Sequence, residues 1–151
     1  MGKVIFGVCA FLGCCILGLG LVAYLNRDEE TLAVDNLLAE DLTRRIQQAE
    51  GRNEGEVDLA TVTNFAWDRV LIVAPDAPED AIDDALGYPF RGDLNYTAES
   101  KELFIFERAG QVRKYADYRG QGTFEGFERP VAERSADAAV LRVRDLVIRP
   151  E

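Results

Sequence analysis

Histidine is absent from the 151 residues, and the three cysteines, Cys9, Cys14 and Cys15, all fall at the N-terminal end. These two shortages remove Ser-His-Asp and Cys-His nucleophilic sites, which need an imidazole as base, and the usual zinc and haem ligand sets. Serine is scarce too: Ser100 and Ser135 are the only two, and Lys101 and Lys114 are the only lysines after Lys3, so no Ser-x-x-Lys spacing arises. Positive charge is in short supply, with seventeen Lys and Arg against twenty-seven Asp and Glu and a formal charge of −10. Apart from Lys3 the first 25 residues are uncharged, so the rest of the chain sets sixteen cations against twenty-seven anions, or −11. A nucleic-acid partner needs a basic patch that releases counterions. Arg44-Arg45 and Arg113-Lys114 sit among acids, and that class is excluded. Carboxylate chemistry alone is left.

What the chain does have is one long apolar run. Residues 4–25 contain neither charge nor proline, and as a helix these 22 positions extend about 33 Å, enough to cross a bilayer core. Twelve of them are Leu, Ile, Val or Phe, which together favour insertion by about 5 kcal/mol. Lys3 precedes the run, whereas Arg27 is followed at once by Asp28, Glu29 and Glu30. The positive-inside rule then puts residues 1–3 in the cytoplasm and the remainder outside. Two alternatives stay open. Cleavage after Gly18-Leu19-Gly20 is opposed by the apolar residues that follow, and acylation at the end of Leu12-Gly13-Cys14 is opposed by the lack of a polar tether behind the cysteine. Myristoylation is rejected because Phe6 stands where Ser or Thr is required. Ala10, Cys14 and Gly18 form a small-xxx-small face, to be weighed as a weak homodimer contact against a monomeric anchor with incidental small residues.

Beyond the acidic junction, Val34, Leu37, Leu38, Leu42, Ile46 and Ala49 follow helical spacing, with polar residues between them. This amphipathic helix, within residues 26–50, is either a juxtamembrane stalk or one layer of the domain, and two heptads are few for a coiled coil. Residues 57–63 are apolar and β-branched, and residues 69–74 read as a short buried strand ended by Pro75. Asp76-Ala77-Pro78-Glu79 predicts a capped helix start, with Ala81, Ile82, Ala85 and Leu86 on one face and Gly87 as the stop. Residues 103–106 and 112–118 flank Arg108-Ala109-Gly110-Gln111 as a hairpin, and residues 139–144 alternate as a last strand. The fold expected after the apolar run is α+β, a small mainly antiparallel sheet with two helices packed on one face, with the extracytoplasmic domain at residues 51–151.

Three constellations invite chemistry. Asp76, Glu79, Asp80, Asp83 and Asp84 suggest calcium, but Pro78 and Ala81 break the EF-hand spacing, and acids at a helix start are favoured by its dipole. Gly120-Gln121-Gly122-Thr123-Phe124-Glu125-Gly126 has its third glycine one residue late for a phosphate loop, so it reads as a flexible loop. Asn95-Tyr96-Thr97 is a glycosylation sequon that matters only in a eukaryotic secretory pathway. No catalytic, cofactor-binding or metal-ligating residue is assigned, and no cofactor is expected.

The most distinctive string is Phe65-Ala66-Trp67-Asp68-Arg69-Val70. With the strand, proline turn, acidic helix ending in Leu86-Gly87 and hairpin that follow, it resembles small bacterial envelope proteins of the YfjS/YafY lipoprotein-like type over roughly residues 60–145. The resemblance implies a membrane-attached N-terminus and an extracytoplasmic domain, and it carries no activity. The spanning run stands where a lipobox is expected, which speaks against acylation. Trp67 is either an aromatic at the edge of the core or, with Asp68, Tyr88, Phe90 and Tyr96, part of an exposed recognition patch. The function expected is a single-pass, non-catalytic membrane protein whose extracytoplasmic domain contacts envelope proteins. The alternatives are a hydrolase with two carboxylates and one raised pKa, and a passive subunit of a membrane complex.

Overall fold

The computed structural model describes residues 32–51, 55–92 and 102–151. In chain order the elements are α1 (Asn36–Glu50), β1 (Gly55–Asp58), α2 (Leu59–Val62), β2 (Arg69–Val73), α3 (Glu79–Leu86), β3 (Leu103–Arg108), β4 (Gln111–Asp117), β5 (Thr123–Phe124), β6 (Val131–Ser135), β7 (Val140–Arg144) and β8 (Val147–Pro150). They form two four-stranded sheets, ordered β4-β3-β2-β6 and β1-β7-β8-β5. Every pairing is antiparallel except the short one between β5 and β8. The chain is thus an α+β unit, Leu32–Glu151, with mainly antiparallel strands. The apolar run 4–25, with its alternatives of cleavage and acylation and the Ala10-Cys14-Gly18 face, lies outside the described residues, as do Tyr96 and the sequon. Among the described residues no helix is long and apolar enough to cross a membrane.

The expectation of two helices on one face of a single sheet is overturned, and the reason lies in β2 and β3. Neither strand has a polar residue in its middle, so both faces must be covered. Val70, Ile72, Phe104 and Phe106 face one hydrophobic cluster, while Leu71, Val73, Leu103 and Ile105 face another. Burying each of these side chains is worth roughly 1.5–3 kcal/mol. Helix α3 covers the second face with Ile82 and Leu86. Helix α1 lies on the first, with Leu38, Ala39, Leu42, Ile46 and Ala49 buried beside Val57, Leu141, Val143 and Ile148 of the second sheet. The amphipathic helix is therefore a layer of the domain. Leu37, expected on its apolar face, is 75% exposed, because one step along the helix turns it about 100° away from Leu38.

The segment leading into α1 changes faces. Leu32 and Val34 pack with the α3-side cluster, the Asp35 N–H donates to the Tyr115 carbonyl at 2.9 Å, and the first buried residue beyond, Leu38, belongs to the other cluster. The chain thus passes over the β4 edge of the central sheet. Leu32 also bridges Gly92 in parallel, and the Tyr115 hydroxyl donates to the Leu32 carbonyl at 2.8 Å. Asp35 then caps α1 by accepting from the Leu38 N–H at 3.0 Å.

Two local expectations need correction. Helix α3 is not capped by Asp76: its N-cap is Pro78, which makes no side-chain capping bond. A tight turn, in which the Ala77 N–H donates to the Ala74 carbonyl at 3.0 Å, takes up Asp76 first and delays the helix. The apolar residues after Asp58 leave the strand for α2, because Asp58 accepts from the Ala60 N–H at 2.9 Å and starts a helical turn. The stop at Gly87 is present, with φ of 81°.

Candidate functional site

The Trp67 string runs into β2, the strand buried on both faces. Trp67 is 7% exposed and packs edge-on against Phe106 with centroids 5.1 Å apart. Its indole N–H donates to Thr63 Oγ1 at 2.8 Å, so the polar atom of a buried aromatic is satisfied four residues away. Asp68 is exposed, and its carboxylate accepts from the Ala109 N–H at 2.7 Å. That contact ties the string to the β3–β4 turn. The Asp68 backbone continues the sheet on both sides, donating to the Glu107 carbonyl at 2.7 Å and accepting from the Ala136 N–H at 2.8 Å.

Of the five candidate recognition residues, the four that are described do not share one surface. Phe90 is buried in the α3-side cluster, edge-on to Tyr115 at 5.3 Å, so the central sheet separates it from Trp67. Tyr88 is half-buried, and its hydroxyl donates to Glu107 Oε1 and accepts from the Val112 N–H, both at 3.0 Å. Only Asp68 is freely exposed.

What the structure builds around these residues is a polar cluster that the sequence reading missed. Glu107 is 1% exposed and accepts from both Tyr88 and the Arg69 Nε–H. Arg69 also reaches Glu133 at 2.9 Å and donates to the Ala85 carbonyl at 3.2 Å, joining three strands to α3. Burial, then the adjacent Glu107 carboxylate, pushes the Tyr88 phenol up to about 12. The signal that finds the cluster is a register: Arg69 pairs with Glu107 across β2 and β3, and no spacing along the chain announces it.

Two further buried carboxylates are likewise held by an arginine, though not through a strand register. Glu102 binds Arg129 at 2.9 Å, and Arg129 also donates to the Phe124 carbonyl at 3.1 Å. Asp117 takes both arms of Arg119, at 2.6 and 2.9 Å. An ionised carboxylate in such surroundings is tolerable only when paired and hydrogen-bonded.

The glycine-rich stretch serves packing. The Tyr118 hydroxyl donates to the Gln121 carbonyl at 2.7 Å, and a Cβ on Gly120 would stand 2.3 Å from that hydroxyl oxygen. Thr123 and Phe124 add a short strand to β8, so the expected flexible loop is partly strand. In the acidic helix, Asp83 accepts from the Phe90 N–H at 2.7 Å and anchors the chain after α3. Among the described residues no group of three or more His, Cys, Asp or Glu is arranged to hold a metal ion. A groove of about 660 Å³ is lined by Pro75, Asp76, Pro78, Arg129 and Pro130. No protein-family model matches the chain, and no curated protein or solved structure is significantly similar to it.

Proposed function

We propose that the chain is a single-pass membrane protein whose extracytoplasmic domain works by contact with envelope proteins and not by catalysis. The observation that carries this reading is an uncharged apolar run at residues 4–25, six residues ahead of a folded unit that begins at Leu32 and belongs to an acidic stretch of chain. The resemblance over residues 60–145 points the same way. Among the described residues the buried carboxylates, Glu102, Glu107 and Asp117, are each tied to an arginine. A carboxylate hydrolase needs the opposite, one acid raised toward neutrality beside a second across a cleft. Glu107 and Glu133 do converge, but on the guanidinium of Arg69.

A reporter that works only outside the cytoplasm, fused after Glu151, is expected to be active in cells, and activity of a cytoplasm-only reporter at that site overturns the topology. Intact mass is expected to retain Cys14 and Cys15, and loss or acylation of either changes the anchor to a cleaved or lipidated one. Crosslinking in intact cells tests the contact role. If Gly18→Leu abolishes co-purification while removal of the domain does not, the chain is instead a passive subunit acting through Ala10, Cys14 and Gly18.

A further inference from the structure

Strand β6 ends the central sheet, paired with β2 on one side only. The direction of its free groups follows from the bonds at its two ends. The Ala74 N–H donates to the Pro130 carbonyl at 2.9 Å, and the Ala136 N–H donates to the Asp68 carbonyl at 2.8 Å. In an antiparallel ladder bonded pairs recur every second residue, so Ala132 and Arg134 face β2 while Val131, Glu133 and Ser135 turn their N–H and C=O groups away. The side chain of Arg134 agrees, bending over the edge to donate to the Glu133 carbonyl. The Ser135 carbonyl is taken by the Ala138 N–H at 3.0 Å. Among the described residues, the N–H groups of Val131, Glu133 and Ser135 and the Val131 carbonyl have no partner.

The surroundings of this edge select the charge of what joins it. Its start meets the groove in which Pro130 and Arg129 stand beside Asp76 and Pro78. Asp76 and the first-turn acids of α3, Glu79 and Asp80, are exposed and make no ion pair among the described residues. Glu133, on the strand, is more than half exposed while one of its oxygens holds Arg69. The nearby cations are already engaged, Arg129 by Glu102 and Arg134 by Glu128.

We propose that the outer edge of β6 takes an extended, basic peptide segment of another protein as an added strand, its main chain pairing with Val131 and Glu133 and its cationic side chains lying against Asp76, Glu79 and Glu133. Main-chain bonds supply the affinity of such an addition and alternate side chains its selectivity. The inference rests on the contact role proposed above only in taking the partner to be a protein, and it needs nothing from the anchor.

The test uses the full chain in detergent micelles and an eight-residue peptide of alternating valine and lysine, with a valine–glutamate peptide as its counterpart. The lysine peptide is expected to slow amide exchange at Val131, Glu133 and Ser135 at least tenfold and to leave the β3–β4 turn unchanged. Glu133→Pro removes an outward N–H, a change an edge strand tolerates, together with the carboxylate that holds Arg69, and is expected to weaken binding at least tenfold. Glu133→Ala, which loses charge but keeps the N–H, should weaken it less. Absence of protection in the parent overturns the proposal whether or not the proline variant folds. Equal binding of the glutamate peptide, or protection that appears without peptide and grows with protein concentration, also overturns it, the latter by showing a second copy on the edge. Crosslinks in cells that persist with Glu133→Pro refute this edge alone, whereas an absence of crosslinks refutes the contact role itself.

Discussion

At the scale of single residues, Trp67 and Arg69 do different work within three positions. Trp67 fills space against Phe106, so Trp67→Ala is expected to cost about 3–5 kcal/mol, measured as a loss of thermal and denaturant stability. Asp68→Asn keeps an acceptor for the Ala109 N–H and is expected to cost less than about 1 kcal/mol. A Trp67→Ala protein that melts within a degree or two of the parent would show that the ring serves a surface and not the core. Arg69→Met leaves the Glu107 carboxylate buried without its cation and is expected to cost about 3–5 kcal/mol, whereas Arg69→Met with Glu107→Leu recovers most of that loss. Denaturant melts of the two variants side by side measure the difference. Trp67 stood out in the sequence because it is the one tryptophan. Glu107 did not, because its burial is set by a partner 38 positions away.

At the scale of elements, patterns contained within one segment were legible and those that needed a partner were not. The α1 stripe, the Gly87 stop, β2 and the β3–β4 hairpin all follow from local periodicity and turn residues. The β7–β8 hairpin has the same two-residue turn, but Asp145 and Leu146 occupy it at φ of 51° and 60°, where the sequence offers no glycine or asparagine to announce it. Leucine in that conformation costs about 1–2 kcal/mol. Asp145→Asn with Leu146→Gly is therefore expected to raise the melting temperature. Helix α1 carries a pH dependence at its start. A hydrogen bond from Lys114, then the Leu38 N–H, holds the Asp35 carboxyl below its ordinary value. Its contribution is present above the unfolded value near pH 4 and is lost as pH falls through the lower folded value. The stability difference between the parent and Asp35→Asn is expected to be constant from pH 7 to 5 and to shrink below pH 4, as urea melts across that range would show.

For the whole molecule, the α+β class was readable because strands and one intervening helix alternate clearly, but the count of sheets was not. β5, β6 and β8 are short, two to five residues each, and have meaning only beside β8, β2 and β7 respectively. The same limit hid the Arg69–Glu107 pair and the outer edge of β6, since a ladder register and a strand edge are properties of the assembled sheet. The passage of residues 32–35 across β4 adds a mechanical consequence. A load entering the unit at Leu32 meets the bridge to Gly92 and the Tyr115 hydroxyl, then the Asp35 N–H on the Tyr115 carbonyl and Lys114 on the Asp35 carboxylate at 2.6 Å. The last three of these fastenings end on Tyr115 and Lys114 of β4, and behind them lie the two clusters on the opposite faces of its sheet. The first four residues of the unit thus act as a clasp. Tension loads the two fastenings at Leu32 first and passes to those at Asp35 only when they yield, so the core behind them is shielded in two steps.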